Sequence, residues 1–130
     1  MWMVKPVWVE YNPNRFEKNV GDCVVRAISK ALDTSWETAY IMLCVEGFLL
    51  ADLPSSNAIW SALLKKKGFK RHTIEECPDC YTVEDFCRDH PFGIYVIGTG
   101  SHAVCVVDGC YHDAWNSGKE TPVYYFEKGE

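Results

Sequence analysis

Cys23, His102 and Asp113 are the residues whose types and settings can do chemistry together. Cys23 stands in GDCVVRAISKAL, where a loop becomes a helix. His102 stands in SHAVCVVDGCYHDAWNSG, at the head of a hairpin that brings Asp113 back beside it. A thiol reacts as its thiolate, and the exposed N–H groups and dipole of a helix start favour that form. An imidazole takes and returns the proton, and a carboxylate on its far side holds the ring in one tautomer. Together these are the parts of a nucleophilic cysteine hydrolase. Asp22 works in two directions: it suits a helix cap, but its charge beside Cys23 opposes thiolate formation.

The hairpin selects the carboxylate. Asp108-Gly109 between apolar runs is a two-residue turn signal. With that loop, Val107 pairs with Cys110, Val106 with Tyr111, Cys105 with His112 and Val104 with Asp113. Cross-strand partners share a face and side chains alternate, so His102, Val104, Asp113 and Trp115 fall on one side. His102 and Asp113 are then diagonal neighbours, while His112 points away. Asn116 falls on the opposite face unless the strand ends first. It stays the alternative orienting residue, because a bulge or a longer turn reverses the choice.

These residues need a frame. Val7 and Val9, with Val4 and Trp8, suggest a short first strand, followed by the turn-rich YNPNR. Val24, Val25, Ile28, Ala31 and Leu32 fall on one face of a helix from about Asp22 to Leu32, with Val25 and Ile28 expected in the core. Thr34 and Glu37 have capping-box spacing for a second helix to Phe48, with Trp36, Tyr40 and Leu43 as its stripe. Ser55 or Ser56 opens a third helix, which runs to Lys67 and stops at Gly68. Thr82 opens a fourth, ending near Asp89 before Pro91. The period then switches to alternation: Gly93–Ile97, Ser101–Val107, Cys110–Trp115 and Val123–Phe126 read as strands. Helices first and an antiparallel sheet second make an α+β domain.

Composition bounds the rest. The 130 residues fit one domain, 1–130, and 48% hydrophobic with 14% aromatic residues supply a core. A net charge of −5 argues against a nucleic-acid partner. The basic run KKKGFKR reads as the solvated end of a helix. No segment has the length of a membrane helix, and the first residues lack a signal-peptide core. The seven cysteines then read as reduced thiols of a cytoplasmic protein. Cys44 and Cys105 read as small core hydrophobes, and the tryptophans as core fillers, with Trp115 alternatively shielding the site from water. Cys77, Cys80, Cys87 and His90 carry a rival signal, because CxxC followed by Cys and His on one helix turn can bind zinc, and Cys77 with Cys80 also reads as a redox CxxC. Val83, Phe86, Cys87 and His90 also form that helix's apolar stripe, which accounts for Cys87 without a metal.

The stretches GDCVVRAI, GSHAVCVVDG and YHDAWNSG resemble small phage and gut-bacterial proteins described as papain-like or bacteriocin-leader-peptidase-like, from about Asn12 to Phe126. The order of helix-starting Cys, His on a strand and Asp or Asn on the next strand resembles the papain-like cysteine peptidase superfamily more broadly. The resemblance implies a papain-like fold, with N-terminal helices, the central one led by the cysteine, packed on a C-terminal antiparallel sheet. It implies Cys23 as nucleophile, His102 as base and Asp113 as orienting group, with no cofactor or metal. The reaction would be amide cleavage through a thioester in a peptide or protein substrate of host or phage. Peptidase, isopeptidase, amidase and transglutaminase-like transferase share this order of residues. The family commonly places a Gln about six residues before the Cys to donate to the oxyanion. Glu17 stands there, where its charge would repel a developing oxyanion, and Asn19 is the nearest amide, with the Cys23 backbone N–H as second donor. Glu17 favours the alternative, a catalytically weak or inactive scaffold acting as a binding or inhibitory phage protein.

Overall fold

The computed structural model describes residues 7–75 and 80–129; Val4 and Cys77 lie outside them. Its helices are α1 (Cys23–Ala31), α2 (Trp36–Leu50), α3 (Asn57–Lys66) and α4 (Val83–Asp89). The strands are β1 (Val7–Glu10), β2 (Phe69–Thr73), β3 (Ile94–Gly98), β4 (Ala103–Val107), β5 (Cys110–Asp113) and β6 (Tyr124–Lys128). They form one sheet in the order β1-β5-β4-β3-β6-β2. The α+β class holds, but the wholly C-terminal antiparallel sheet does not. β1 joins β5 in parallel at one edge, and β2, formed between α3 and α4, pairs with β6 at the other.

The sheet buries both faces. On one side Ala27, Ile28, Leu43, Ile59, Trp60 and Leu64 of α1–α3 pack against Val96, Cys105 and Phe126. On the other, Val83, Phe86 and Cys87 of α4 cover Tyr95, Ile97, Val104, Val106 and Tyr111. Neighbouring residues along β3 and β4 thus feed opposite cores, as strand alternation requires. Each large apolar side chain removed from water this way contributes roughly 1.5–3 kcal/mol of transfer free energy.

Local chemistry fixes the element starts. Ser35, rather than the expected Thr34–Glu37 box, caps α2 by accepting the Thr38 N–H at 3.1 Å. Ser56 caps α3, and Thr82 with Asp85 forms a reciprocal capping box on α4. Within the expected first-helix face, Val24 and Ile28 are buried, but Val25 is only half-buried at the edge of a surface groove. Tyr40 is likewise exposed rather than core. Trp60 fills the core, whereas Trp8 and Trp115 are exposed.

Candidate active site

Cys23 is the first residue of α1, and Asp22 holds the cap position without donating or accepting a cap hydrogen bond through its side chain. Both carboxylate oxygens of Asp22 are occupied elsewhere. Oδ1 takes the Arg26 guanidinium, and Oδ2 accepts the Trp36 indole N–H at 2.8 Å. The first N–H groups of α1 are therefore left without a carboxylate cap, and Asp22 is neutralised by a cation one turn on. The Asp22 carboxylate is thus paired with Arg26 rather than left bare beside the thiol.

His102 is delivered by the tight link between β3 and β4. The Thr99 N–H donates to the His102 carbonyl at 2.9 Å, and Gly100 takes the left-handed φ of +102° that the turn needs. Asp108 and Gly109 both have positive φ, 49° and 78°, the geometry of a two-residue I′ hairpin. The pairs Cys105–His112, Val106–Tyr111 and Val107–Cys110 follow the expected register, but the ladder stops there and the expected Val104–Asp113 pair is not formed. Val104 and Tyr111 face α4, yet His102 and Asp113 sit at the open end of these strands, where they reach α1. The His102 Nε2–H donates to Asp113 Oδ2 at 2.6 Å, leaving Nδ1 as the ring's other nitrogen; Cys23 lines the same cleft as His102, and the ring acts to lower its thiol.

Asp113 is 1% exposed and is surrounded by donors. Beside His102, the Ser117 hydroxyl donates to Oδ2 at 2.6 Å, while Arg26 at 3.0 Å and the Ala114 N–H at 2.8 Å donate to Oδ1. Arg26, itself buried, thus bridges Asp22 and Asp113. The sequence carried a signal for it, an Asp and an Arg spaced i, i+4 on an otherwise apolar helix. From Asp22 through Arg26, Asp113 and His102 to Cys23, charge alternates in sign when Cys23 is a thiolate. Replacing Arg26 by Met keeps the aliphatic packing but leaves two buried carboxylates without their cation. We expect Arg26→Met to cost about 3–5 kcal/mol in urea denaturation. A loss below about 1 kcal/mol would show that the guanidinium is not holding the carboxylates.

The protonation states follow from these contacts. Burial alone would raise the Cys23 thiol. The His102 hydrogen bond, the Ala103 N–H donating to sulfur and the charges of His102 and Arg26 outweigh it, holding the thiol below its usual value. Burial alone would lower His102, but its hydrogen bonds to Asp113 and Cys23 and their charges push it up to about 9. Burial likewise disfavours the Asp113 carboxylate. Its bonds from His102 and Ser117 and the charges of His102 and Arg26 nevertheless hold it below the usual carboxylate range. By contrast, burial pushes Cys105 and Cys87 up to about 12, so neither competes as a nucleophile.

Cys23 and His102 open onto a cleft of about 160 Å³, walled by Gly100 and Ser101 on one side and by Ser55 and Asn57 on the other. Gly21, Asp22, Val25 and Ser55 also border an adjoining groove of about 700 Å³ lined by Phe16, Val20, Trp36, Tyr40 and Ile41. The Trp115 ring lies 4.8 Å from His102, so one tryptophan does cover the imidazole. Asn57 was not legible as a site residue, since nothing local links it to Cys23.

Other expected residues fall elsewhere. Asn116 accepts the Tyr111 hydroxyl at 2.6 Å and the Gly118 N–H at 3.1 Å, and makes no hydrogen bond to His102. The His112 ring bonds to the Cys110 carbonyl. Asn19 and Glu17 are exposed, and neither lines the cleft. The Glu17 carboxylate therefore does not occupy the oxyanion side of Cys23. Of the zinc candidates, Cys77 is outside the described residues, Cys80 is disulfide-bonded, Cys87 is buried in the core, and the His90 ring is bonded to the Phe86 carbonyl. Among the described residues no His, Cys, Asp and Glu group is arranged to hold a metal. The expectation of seven reduced thiols is corrected at Cys80; Cys23, Cys44, Cys87, Cys105 and Cys110 are free. Among the described residues no helix is long and apolar enough to cross a membrane.

Comparison with known proteins finds no matching family model, curated protein or solved structure.

Proposed function

We propose that this chain is a papain-like cysteine hydrolase that cleaves an amide bond of a peptide or protein through a thioester on Cys23. One observation carries the reading: a helix-starting thiol, held below its usual pKa, shares a cleft with a His102 ring whose Nε2 is 2.6 Å from a buried carboxylate. Nucleophile, base and orienting group thus come together at one cleft in the order the chemistry uses them.

The steps balance with these groups alone. The Cys23 thiolate attacks the carbonyl carbon, and the carbonyl π pair moves onto oxygen. Collapse of that oxyanion breaks the C–N bond, and the His102 imidazolium gives its proton to the departing amine. Neutral His102 then takes a proton from water as the water attacks the thioester. The second collapse releases the acid and returns the thiolate–imidazolium pair. Asp113 stays ionised throughout and fixes Nε2–H, so that Nδ1 faces the sulfur.

The adjoining groove supports a peptide or protein substrate over a small amide. Its walls leave Phe16 67% and Ile41 61% exposed, a surface suited to bulky apolar side chains beside the scissile bond. The same groove also favours the second reading, a binding or inhibitory protein built on this scaffold. A library of short peptidyl esters followed by peptide mapping separates the two. Hydrolase action predicts an acyl adduct on Cys23 that hydroxylamine removes. No adduct from any ester, together with binding of apolar peptides in the groove, would support the binding protein.

A further inference from the structure

The geometry points to Asn57 as the side-chain donor that holds the oxyanion, an assignment that rests on the hydrolase reading above. Two observations carry it. First, Asn57 opens α3 and lines the cleft that contains Cys23 and His102, although it lies far from both in sequence. Secondly, its amide is locked. Its Oδ1 accepts the Trp60 indole N–H at 2.9 Å, and Trp60 is 1% exposed and fixed in the core. An indole N–H only donates, so the amide must present its oxygen to Trp60. That leaves the two Nδ2 hydrogens, for which the described residues supply no hydrogen-bond partner. Asn19 and Asn57 are both exposed, but only Asn57 lines the cleft.

The backbone supplies a second donor. With Asp22 occupied by Arg26 and Trp36, the Cys23 N–H at the start of α1 is not capped by a carboxylate. Two helix starts, α1 and α3, therefore border one cleft, the first with the Cys23 backbone N–H and the second with the Asn57 amide NH2. When the thiolate attacks a carbonyl, the π pair moves to oxygen and both groups donate hydrogen bonds to it. No proton is transferred to or from Asn57. Donors fixed before the reaction stabilise that charge without reorganising, which is where such groups have their largest effect.

The test compares two reactions of Cys23 in the full chain. Acylation by p-nitrophenyl acetate forms a tetrahedral oxyanion, with p-nitrophenolate leaving; alkylation by iodoacetamide displaces iodide and forms none. The readout is the ratio of the two rates, which cancels any change in thiolate population. Asn57→Ala should lower the ratio about 100-fold. Asn57→Asp keeps an oxygen for Trp60 but loses the donor, and should lower it at least as far. If Asn57→Asp keeps the wild-type ratio, Asn57 serves only to anchor Trp60 and the proposal fails. A ratio within threefold of wild type in Asn57→Ala overturns it as well. If wild-type Cys23 alkylates no faster than an ordinary thiol, the hydrolase reading fails first and this assignment with it.

Discussion

Cys23→Ala should abolish acyl transfer at this site while leaving the fold intact. The substitution removes one sulfur from a half-buried position at the start of α1. Alanine suits a helix, and no sheet pairing depends on residue 23. The stability cost should be on the order of 1 kcal/mol, whereas the loss of the nucleophile is complete because no other described cysteine lies in the cleft. Adduct formation followed by mass spectrometry and chemical denaturation measure the two effects. Acyl transfer that survives in the Cys23→Ala protein would place the chemistry elsewhere. A variant that fails to fold would show that the cysteine is architectural.

Asp113→Asn should have the second-largest effect, and its cause is specific. All four side-chain contacts of Asp113 come from donors: His102, Ser117, Ala114 N–H and Arg26. An asparagine has only one acceptor oxygen and must turn its NH2 toward two of these donors. With NH2 toward His102, the ring has to accept at Nε2, which places the proton on Nδ1 and removes the base from Cys23. With NH2 the other way, it meets the Arg26 cation and the Ala114 N–H. A loss of about 10³–10⁴ in the rate of acyl transfer is expected, by analogy with serine-hydrolase triads. Asn116→Ala, whose target bonds Tyr111 and Gly118 instead, should change the rate less than tenfold. The reverse ranking would transfer the orienting role to Asn116.

What the sequence disclosed is what local chemistry controls. Asp108-Gly109 set the hairpin register, and the period of Val83, Phe86 and Cys87 with the Thr82 cap set α4. Cys23 as a helix start and His102 beside Asp113 followed from the same signals. What escaped is long-range. β1 pairs in parallel with β5 across most of the chain, and no local pattern encodes such a partner. KKKGFKR was read as one helix end; Lys65 and Lys66 do close α3, but Phe69–Thr73 form a short edge strand with only Phe69 buried, too little alternation to register. In α2, apolar residues occur all round, and Ile41, Val45, Phe48 and Leu49 are exposed, so its facing was ambiguous. Asn57 enters the cleft only because α3 packs against α1 and α2, which no spacing in the chain announces.

The pH dependence of Cys23 alkylation tests the central claim most directly, because it reads the nucleophile without needing a substrate. An ordinary thiol, unionised through the neutral range, alkylates about tenfold faster for each pH unit up to its pKa near 8.5. In this site the thiol is lowered and His102 is raised to about 9, so thiolate and imidazolium coexist between the two values. The sign follows: falling pH protonates Cys23 only below its lowered value, and rising pH discharges His102 only near 9. We expect iodoacetamide to label Cys23 ahead of the other free cysteines, at a rate that levels off at a lower pH than that of an ordinary thiol. His102→Ala should restore the steep ordinary profile. A wild-type profile that keeps rising about tenfold per unit up to the ordinary thiol value, unaltered by His102→Ala, would contradict the thiolate–imidazolium pair and with it the hydrolase.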